Sequence, residues 1–392
     1  MARKTNTTQK TRKVRRTRAI QGKYFDYSLL AVIIFLICFG LVMLYSTSAY
    51  TAQKKFGDSM YYFKRQALIS LGSFMVMLVI SQINYHWYAK YAKLLYFVSI
   101  ILMALVLSPL GIEAYSSRRW IRLPFNQQMQ PSEVAKIAII LFIPVLICRM
   151  GKEVNSLRGI LKVLAWGGAS AAGVFFLTDN LSTAIIVFGV TCIMIFVVHP
   201  KTAPFIIIVG AGLTAFLVGA QILGSQMTTH SDFRLRRVLV WLHPEDYTDS
   251  GGFQITQGLY AIGSGGFFGK GLGNSAQKLI LPEVQNDMIL SIICEELGVC
   301  GAIVVLLLFG MLLYRLLFIA QNAPDLYGSL VVTGIFAHIA LQVILNVSVV
   351  LNLIPTTGIT LPFISYGGTS VLFLLIEMGI ALGVSRTIKF DD

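Results

Sequence analysis

Long uncharged apolar runs limit this chain more than any other feature. The first, Tyr27 to Leu44, holds eighteen residues without a formal charge. A run of about 18 or more apolar residues is long enough to cross a bilayer as a helix. The 392-residue chain is 56% hydrophobic and 13% charged, against about 25% charged in a soluble domain. The runs predict ten spans, at 27–48, 66–84, 93–112, 133–150, 161–178, 181–199, 203–224, 287–320, 326–352 and 362–385. The expected fold class is all-α, a polytopic integral membrane protein of about ten transmembrane helices with a large extracytoplasmic loop. Span 287–320 exceeds one crossing, so it extends beyond the membrane or tilts.

The net charge of +14 is unevenly spread, with nine basic and no acidic residues between Met1 and Lys23. Such a segment cannot build an apolar core and reads as a disordered arm. Nucleic-acid binding is one use for it. A cytoplasmic arm that sets orientation and touches anionic membrane lipid fits a polytopic chain better, so nucleic acid is not an expected partner. The run behind the arm is too long for a cleavable signal peptide. The chain therefore divides into an arm at 1–24, one membrane domain at 25–386 containing the outer loop 225–286, and a cytoplasmic tail at 387–392.

With the arm inside, ten spans return the C-terminus to the cytoplasm. Arg149, Lys152, Arg158, Lys162, Lys201, Arg386 and Lys389 then fall inside, as the positive-inside rule asks. Two outer loops break that rule: 113–132 with Arg118, Arg119 and Arg122, and 225–286 with Arg234, Arg236 and Arg237. Arginine forks suit phosphate and pyrophosphate. Pairing with lipid headgroups, or with Glu113, Asp232 and Glu245, is the alternative. Residues 233–242 read as an amphipathic interfacial helix, with Leu235, Leu239 and Leu242 toward lipid and Arg234 and Arg237 on the polar side.

Asp287 opens the eighth span and is either a helix N-cap or a functional carboxylate. Glu295 and Glu296 follow about 12 Å deeper, where acids are functional or paired with a base. Gln130-Pro-Ser-Glu-Val-Ala-Lys136 opens the fourth span. Ser132 is expected to cap it, with Glu133 and Lys136 on one face. Capping does not explain a lysine one turn inside the membrane. Pro355 to Ser370 carries prolines, glycines and hydroxyls at membrane depth, which is tolerated only when buried in protein or lining a polar cavity. The glycine-rich run Gly263 to Asn274 lacks the spacing of a nucleotide-binding loop and reads as a tight turn near a substrate. The five histidines (His86, His199, His230, His243 and His338) show no metal-ligand spacing. The five cysteines form no pair motif and read as free thiols.

These residues resemble the SEDS (shape, elongation, division, sporulation) family. Asn346-Val-Ser-Val-Val-Leu-Asn-Leu-Ile-Pro355, with Ser365-Tyr-Gly-Gly-Thr-Ser370, is similar to its signature. Arg119-Trp-Ile121, Gln130-Pro-Ser-Glu133 with Lys136, Gly269-Lys-Gly-Leu-Gly-Asn-Ser275, Leu281-Pro-Glu283 with Asp287 and Glu295-Glu-Leu-Gly298 follow in family order. The resemblance implies ten spans in the bacterial cytoplasmic membrane, with both termini inside. It also implies a peptidoglycan glycosyltransferase that polymerises lipid II at the outer face. Its implied partners are a class B penicillin-binding protein and other divisome proteins. Asp287 matches the family's catalytic carboxylate. Arg118, Arg119, Gln130, Glu133, Lys136, Glu296, Ser365, Gly367 and Gly368 are the expected substrate-binding residues. No protein-borne metal site is expected, and dependence on a divalent cation such as Mg2+ stays open. Residues 354–362 look closer to the FtsW and SpoVE branch than to RodA. Thr178-Asp-Asn-Leu-Ser-Thr183 departs from the family pattern. A lipid II flippase and a non-catalytic divisome scaffold are the rival readings. The first would carry no base and needs a cavity open to both sides; the second would only recruit division proteins.

Overall fold

The computed structural model describes residues 24–114, 117–123, 127–226, 233–282 and 284–389. The arm at 1–23, Glu283 and the last three residues lie outside them, as do the side chains of Glu113, Arg234 and Leu235.

Ten helices long and apolar enough to cross a membrane are present among the described residues. They are α1 (Tyr27–Phe56), α2 (Tyr61–Ile80), α3 (His86–Ala104), α4 (Pro131–Met150), α5 (Leu157–Thr178), α6 (Leu181–Val198), α7 (Ala203–Gln226), α10 (Ile289–Asn322), α11 (Leu326–Val350) and α12 (Gly368–Ser385). Two shorter helices, α8 (Phe233–Leu242) and α9 (Gly252–Gly265), lie between α7 and α10. Several starts are fixed locally. Asp26, Ser156, Asn180 and Asp325 each accept a bond from a first-turn N–H of α1, α5, α6 and α11. Pro131 opens α4, where its missing N–H costs nothing.

Helices α4, α11 and α12 form the interior, with 61%, 67% and 67% of their central windows buried. Helix α7 is only 6% buried, so its remaining faces are left for lipid.

Three expectations shift. Span 93–112 is instead a helix from His86 to Ala104, and its outer end becomes a sheet. The antiparallel strands β1 (Gly111–Ala114), β2 (Ser117–Leu123) and β3 (Gln127–Met129) follow Pro109, which cannot continue a helix. The last span begins at Gly368 rather than 362, because Phe363 takes a left-handed φ of 62°. The long span is interrupted at Gly298, where φ is 70° and ψ −168°, so its length reflects a break rather than a tilt alone.

Candidate active site at one end of the bundle

Consecutive spans run antiparallel, which brings the sheet, the loop before α10 and the segment 351–367 to one end. Segment 351–367 is irregular, and an unsatisfied carbonyl at membrane depth costs several kcal/mol. Side chains from three helices meet that demand. Trp241 and Arg237 of α8 donate to the carbonyls of Asn352 (2.9 Å) and Thr356 (3.2 Å). Ser182 of α6 donates to Thr357 at 2.7 Å, and Gln342 of α11 to Thr360 at 3.0 Å. Asn346 of α11 donates to Ile359 at 2.8 Å. Gly40 of α1 lets the chain pass, since a Cβ there would stand 2.6 Å from the Phe363 carbonyl.

This docking corrects the expected role of α8. Leu239, expected to face lipid, is 3% exposed. Arg237 and Trp241 lie four apart on one helical face and grip the segment, so protein covers much of the helix.

Asp287 lies on the loop before α10. The N-cap of that helix is Met288, with no side-chain cap bond, so the capping alternative does not describe Asp287. Its carboxylate is half-buried, with Gln254 Nε2 of α9 3.4 Å from Oδ1. Its backbone carbonyl accepts from Asn346 Nδ2 at 2.9 Å. Asn346 thus ties Asp287 and Ile359 together with one amide group. The neighbouring Gln285 carbonyl accepts from the Tyr366 N–H at 2.9 Å, which joins the same loop to the chain just before α12.

The sheet separates the two candidate arginines. Successive strand residues face opposite sides. Arg118 and Arg122 are exposed, whereas Ile121 is 5% exposed. Arg119 shares the Ile121 face and donates to the Asp179 carbonyl at 3.1 Å. Asp179 holds a left-handed φ of 49° at the C-cap of α5, an ordinary use of Asp in a tight helix–helix turn. Gln130 is the N-cap of α4, without a side-chain cap bond. The expected cap, Ser132, is instead buried, and its hydroxyl has no partner among the described residues. Lys136 and Glu133 form a buried ion pair at 2.8 Å. The sheet reaches α12 where Thr369 donates to the Gln128 carbonyl at 3.2 Å. Gly367 and Gly368 open α12 there, with no side-chain cap. Ser365 is 4% exposed and accepts from the Leu361 N–H at 2.8 Å, supporting the turn.

The glycine-rich run does something its composition did not reveal. It clasps the break in α10 through backbone bonds. Lys270 and Gly271 N–H donate to the carbonyls of Glu295 and Glu296, both at 2.9 Å. Val299 and Cys300 N–H donate back to Gly266 (3.0 Å) and Phe267 (3.1 Å). A Cβ on Gly269 or Gly298 would meet opposing backbone at 2.2 or 2.4 Å, so only glycine permits the approach. The two buried glutamates lock the clasp. Glu295 takes Lys270 at 2.7 Å and the Ser275 hydroxyl. Glu296 takes Lys278 at 3.0 Å, with Ser46 on both oxygens. Glu296 therefore lies in a closed set of partners, 0% exposed, and not on the surface that carries Asp287.

The pairing of Lys270 and Lys278 with the glutamates and the place of Gln254 leave no signal in the sequence, nor does a buried pair between His338 and Glu377 (2.7 Å) joining α11 to α12. Pairs that far apart leave no spacing signal. The glycines spaced to fit the α10 break were the one cue to the clasp. Among the described residues no three His, Cys, Asp or Glu side chains converge to hold a metal ion.

The profile of the FtsW/RodA/SpoVE family, described as cell cycle protein, matches residues 27–389. Stage V sporulation protein E of Bacillus subtilis is 40% identical over 368 residues, covering 93% of this chain and 98% of the relative. A probable peptidoglycan glycosyltransferase FtsW of Trichlorobacter lovleyi is 38% identical, covering 93% and 94%. Among solved structures, a chain from work on coordinated polymerization and crosslinking by a peptidoglycan synthase complex aligns with a TM-score of 0.75 at 26% identity. The match covers 92% of this chain and 98% of that one. Thermus thermophilus rod shape determining protein RodA aligns with a TM-score of 0.62 at 25% identity, covering 94% and 98%.

Proposed function

This chain belongs to the FtsW/RodA/SpoVE family of cell cycle proteins, and on that premise we propose that it polymerises lipid II into glycan strands at the outer face of the cytoplasmic membrane. One observation carries the reading. Asp287 is a half-buried carboxylate with no part in capping its helix, fixed through its backbone by Asn346 on a loop joined to the start of α12. The basic residues at the opposite end of the bundle support a cytoplasmic position for that end and for both termini.

Asp287 acts as general base on the acceptor sugar's hydroxyl, a role worth roughly 10²–10⁴-fold in rate. The deprotonated oxygen attacks the anomeric carbon of the lipid-linked donor strand. The glycosidic bond forms as the bond to undecaprenyl pyrophosphate breaks. That leaving group gains charge and needs cationic partners. Arg118 and Arg119 on the two faces of β2 are our candidates, with Lys136 below them in its pair with Glu133. Gln130 borders the same surface. The uncapped start of α12 at Gly367 and Gly368 adds N–H groups and a favourable dipole for phosphate. Ser365 shapes that start, and Glu296 acts from beneath through the clasp. A divalent ion at this site would be held by one carboxylate and substrate phosphates, as Mg2+ commonly is.

The synthase complex that one solved relative belongs to supports a cross-linking partner, which we take to be a class B penicillin-binding protein. Relatives named for FtsW and for stage V sporulation support a septal role, in division or in sporulation. The test is glycan polymerisation from purified lipid II by this protein with its partner, with Asp287 intact or replaced by Asn. Strand synthesis by the Asn variant at near the normal rate overturns the general-base assignment.

A further inference from the structure

The end of the bundle opposite Asp287 carries a small crevice that the polymerase reading does not use. It holds about 130 Å³ between α3, α4 and α5, and is lined by Lys93, Phe142, Val145, Leu146, Arg149 and Trp166. Its walls are apolar and its two charges are both positive. Lys93 and Arg149 are exposed, and among the described residues neither has a hydrogen-bond or ion-pair partner.

Lys93 lies seven residues into α3, about 10 Å from the start of that helix. A cation at that depth, facing lipid, is costly unless an anion meets it. The surrounding sequence supplies almost none. Between 86 and 104 and between 149 and 166 there are six basic residues (Lys90, Lys93, Arg149, Lys152, Arg158, Lys162) and one acid, Glu153. Glu153 forms no ion pair with either crevice cation.

The floor is rigid. Tyr96, Phe142 and Trp166 pack mutually with ring centroids 4.7 to 5.4 Å apart. The Tyr96 hydroxyl donates to the Trp166 carbonyl at 2.9 Å. From Lys93 an exposed apolar ridge runs up α3 toward the bilayer centre, through Leu94 (61%), Phe97 (43%) and Ile101 (60%). A preformed apolar slot, two cations at its mouth and an apolar track leading inward match a phosphate headgroup with its acyl chain.

We propose that this crevice binds an anionic glycerophospholipid, its phosphate between Lys93 and Arg149 and one acyl chain along α3. On the orientation proposed above, the lipid comes from the inner leaflet.

The experiment uses the full chain in mixed micelles of phosphatidylglycerol and phosphatidylcholine, with retained lipid counted by native mass spectrometry. Wild type should retain phosphatidylglycerol in preference. Lys93→Gln with Arg149→Gln should cut that preference by roughly thirtyfold, at about tenfold per 1.4 kcal/mol and about 1 kcal/mol per cation. Lys152→Gln with Arg158→Gln removes the same charge from the same end and should change it little. An equal loss in both variants means a diffuse field rather than a site, and overturns the proposal. Leu146→Trp fills the slot and keeps both charges, so it too should reduce retention; unchanged retention overturns the acyl placement. If a polyprenyl phosphate displaces phosphatidylglycerol while the reverse exchange fails, the assignment to a glycerophospholipid is wrong. Unchanged thermal midpoints show that the variants remain folded.

Discussion

Asp26, Asp325 and Asp287 stand at or near the starts of α1, α11 and α10, and these three divide by the end of the bundle they occupy. Asp26 and Asp325 lie at the basic end and are true caps. Asp26 accepts from the Leu29 N–H at 2.9 Å and pairs with Arg315 at 2.7 Å. Asp325 accepts from the Gly328 N–H at 2.7 Å and meets Tyr85 and His86. Asp287 lies at the other end, one residue before the Met288 N-cap. The first two are spent on local structure. Asp287 stands before its helix's N-cap, with Gln254 of α9 beside its carboxylate and Asn346 of α11 on its backbone carbonyl. Whether a carboxylate works for its own helix is thus decided by an offset of one residue.

The largest test of that comparison exchanges charge for amide at both ends. Asp287→Asn should lower polymerisation by about 10²-fold or more and leave the thermal midpoint where it was. Asp26→Asn should do the reverse. It strips the counter-charge from a largely buried arginine and should cost up to a few kcal/mol in stability, while the folded fraction keeps its turnover. Equal loss of turnover per folded molecule in both variants would erase the distinction between the two ends.

Glu296 makes the next test, because it is an acid on α10 that the comparison assigns to structure. Glu296→Gln leaves Lys278, 11% exposed, without its counter-charge. Stability should fall by a similar few kcal/mol, with activity lost in step with folding. A folded Glu296→Gln protein without activity would return Glu296 to the substrate surface. Gly298→Ala attacks the same clasp from the backbone. Its φ of 70° and the 2.4 Å approach to Gly269 N predict a loss of about 2 kcal/mol or more. Gly310, with nothing within 4 Å of a Cβ, is the control. Gly310→Ala should be neutral or slightly stabilising by thermal midpoint.

The ten spans were legible because apolar runs of bilayer length need no tertiary knowledge. Their limits were not. Residues 86–92 of α3 fall outside the apolar run, which His86 and Lys90 interrupt. Residues 362–367 were read as helix because Pro-Phe-Ile is apolar, while Phe363 turns left-handed under Gly40. The sheet leaves no period-2 signal, because Arg119-Trp-Ile-Arg-Leu123 does not alternate polar with apolar residues. Asp287 was found by residue type and by resemblance. The fact that it does not cap α10 depended on where the helix begins, which periodicity does not fix. Leu239 and Leu242 form an apolar stripe, but a stripe does not say whether lipid or protein covers it, and Leu239 is buried in protein.

The smallest expected effect lies at Asp325, and it works through pH. Burial pushes this carboxyl up. The Gly328 N–H, the Tyr85 hydroxyl and the His86 ring outweigh burial, and hold it below the ordinary carboxylate range. A lowered folded-state value means that the ionised form contributes stability above the unfolded value, near pH 3.9. That contribution is lost as pH falls through the folded value. Asp325→Ala removes the cap and the charge together and should cost about 1 kcal/mol near neutral pH. Asp325→Asn keeps an acceptor for the Gly328 N–H and should cost less. Thermal midpoints of wild type and Asp325→Ala in detergent should differ steadily down to about pH 5, then converge below about pH 4. Polymerisation by the folded Ala variant at neutral pH should match wild type, because this end holds no reacting group. A gap that widens toward acid would contradict the lowered value. A large loss of turnover without a shift in midpoint would show that the basic end, too, carries a carboxylate not spent on its own helix.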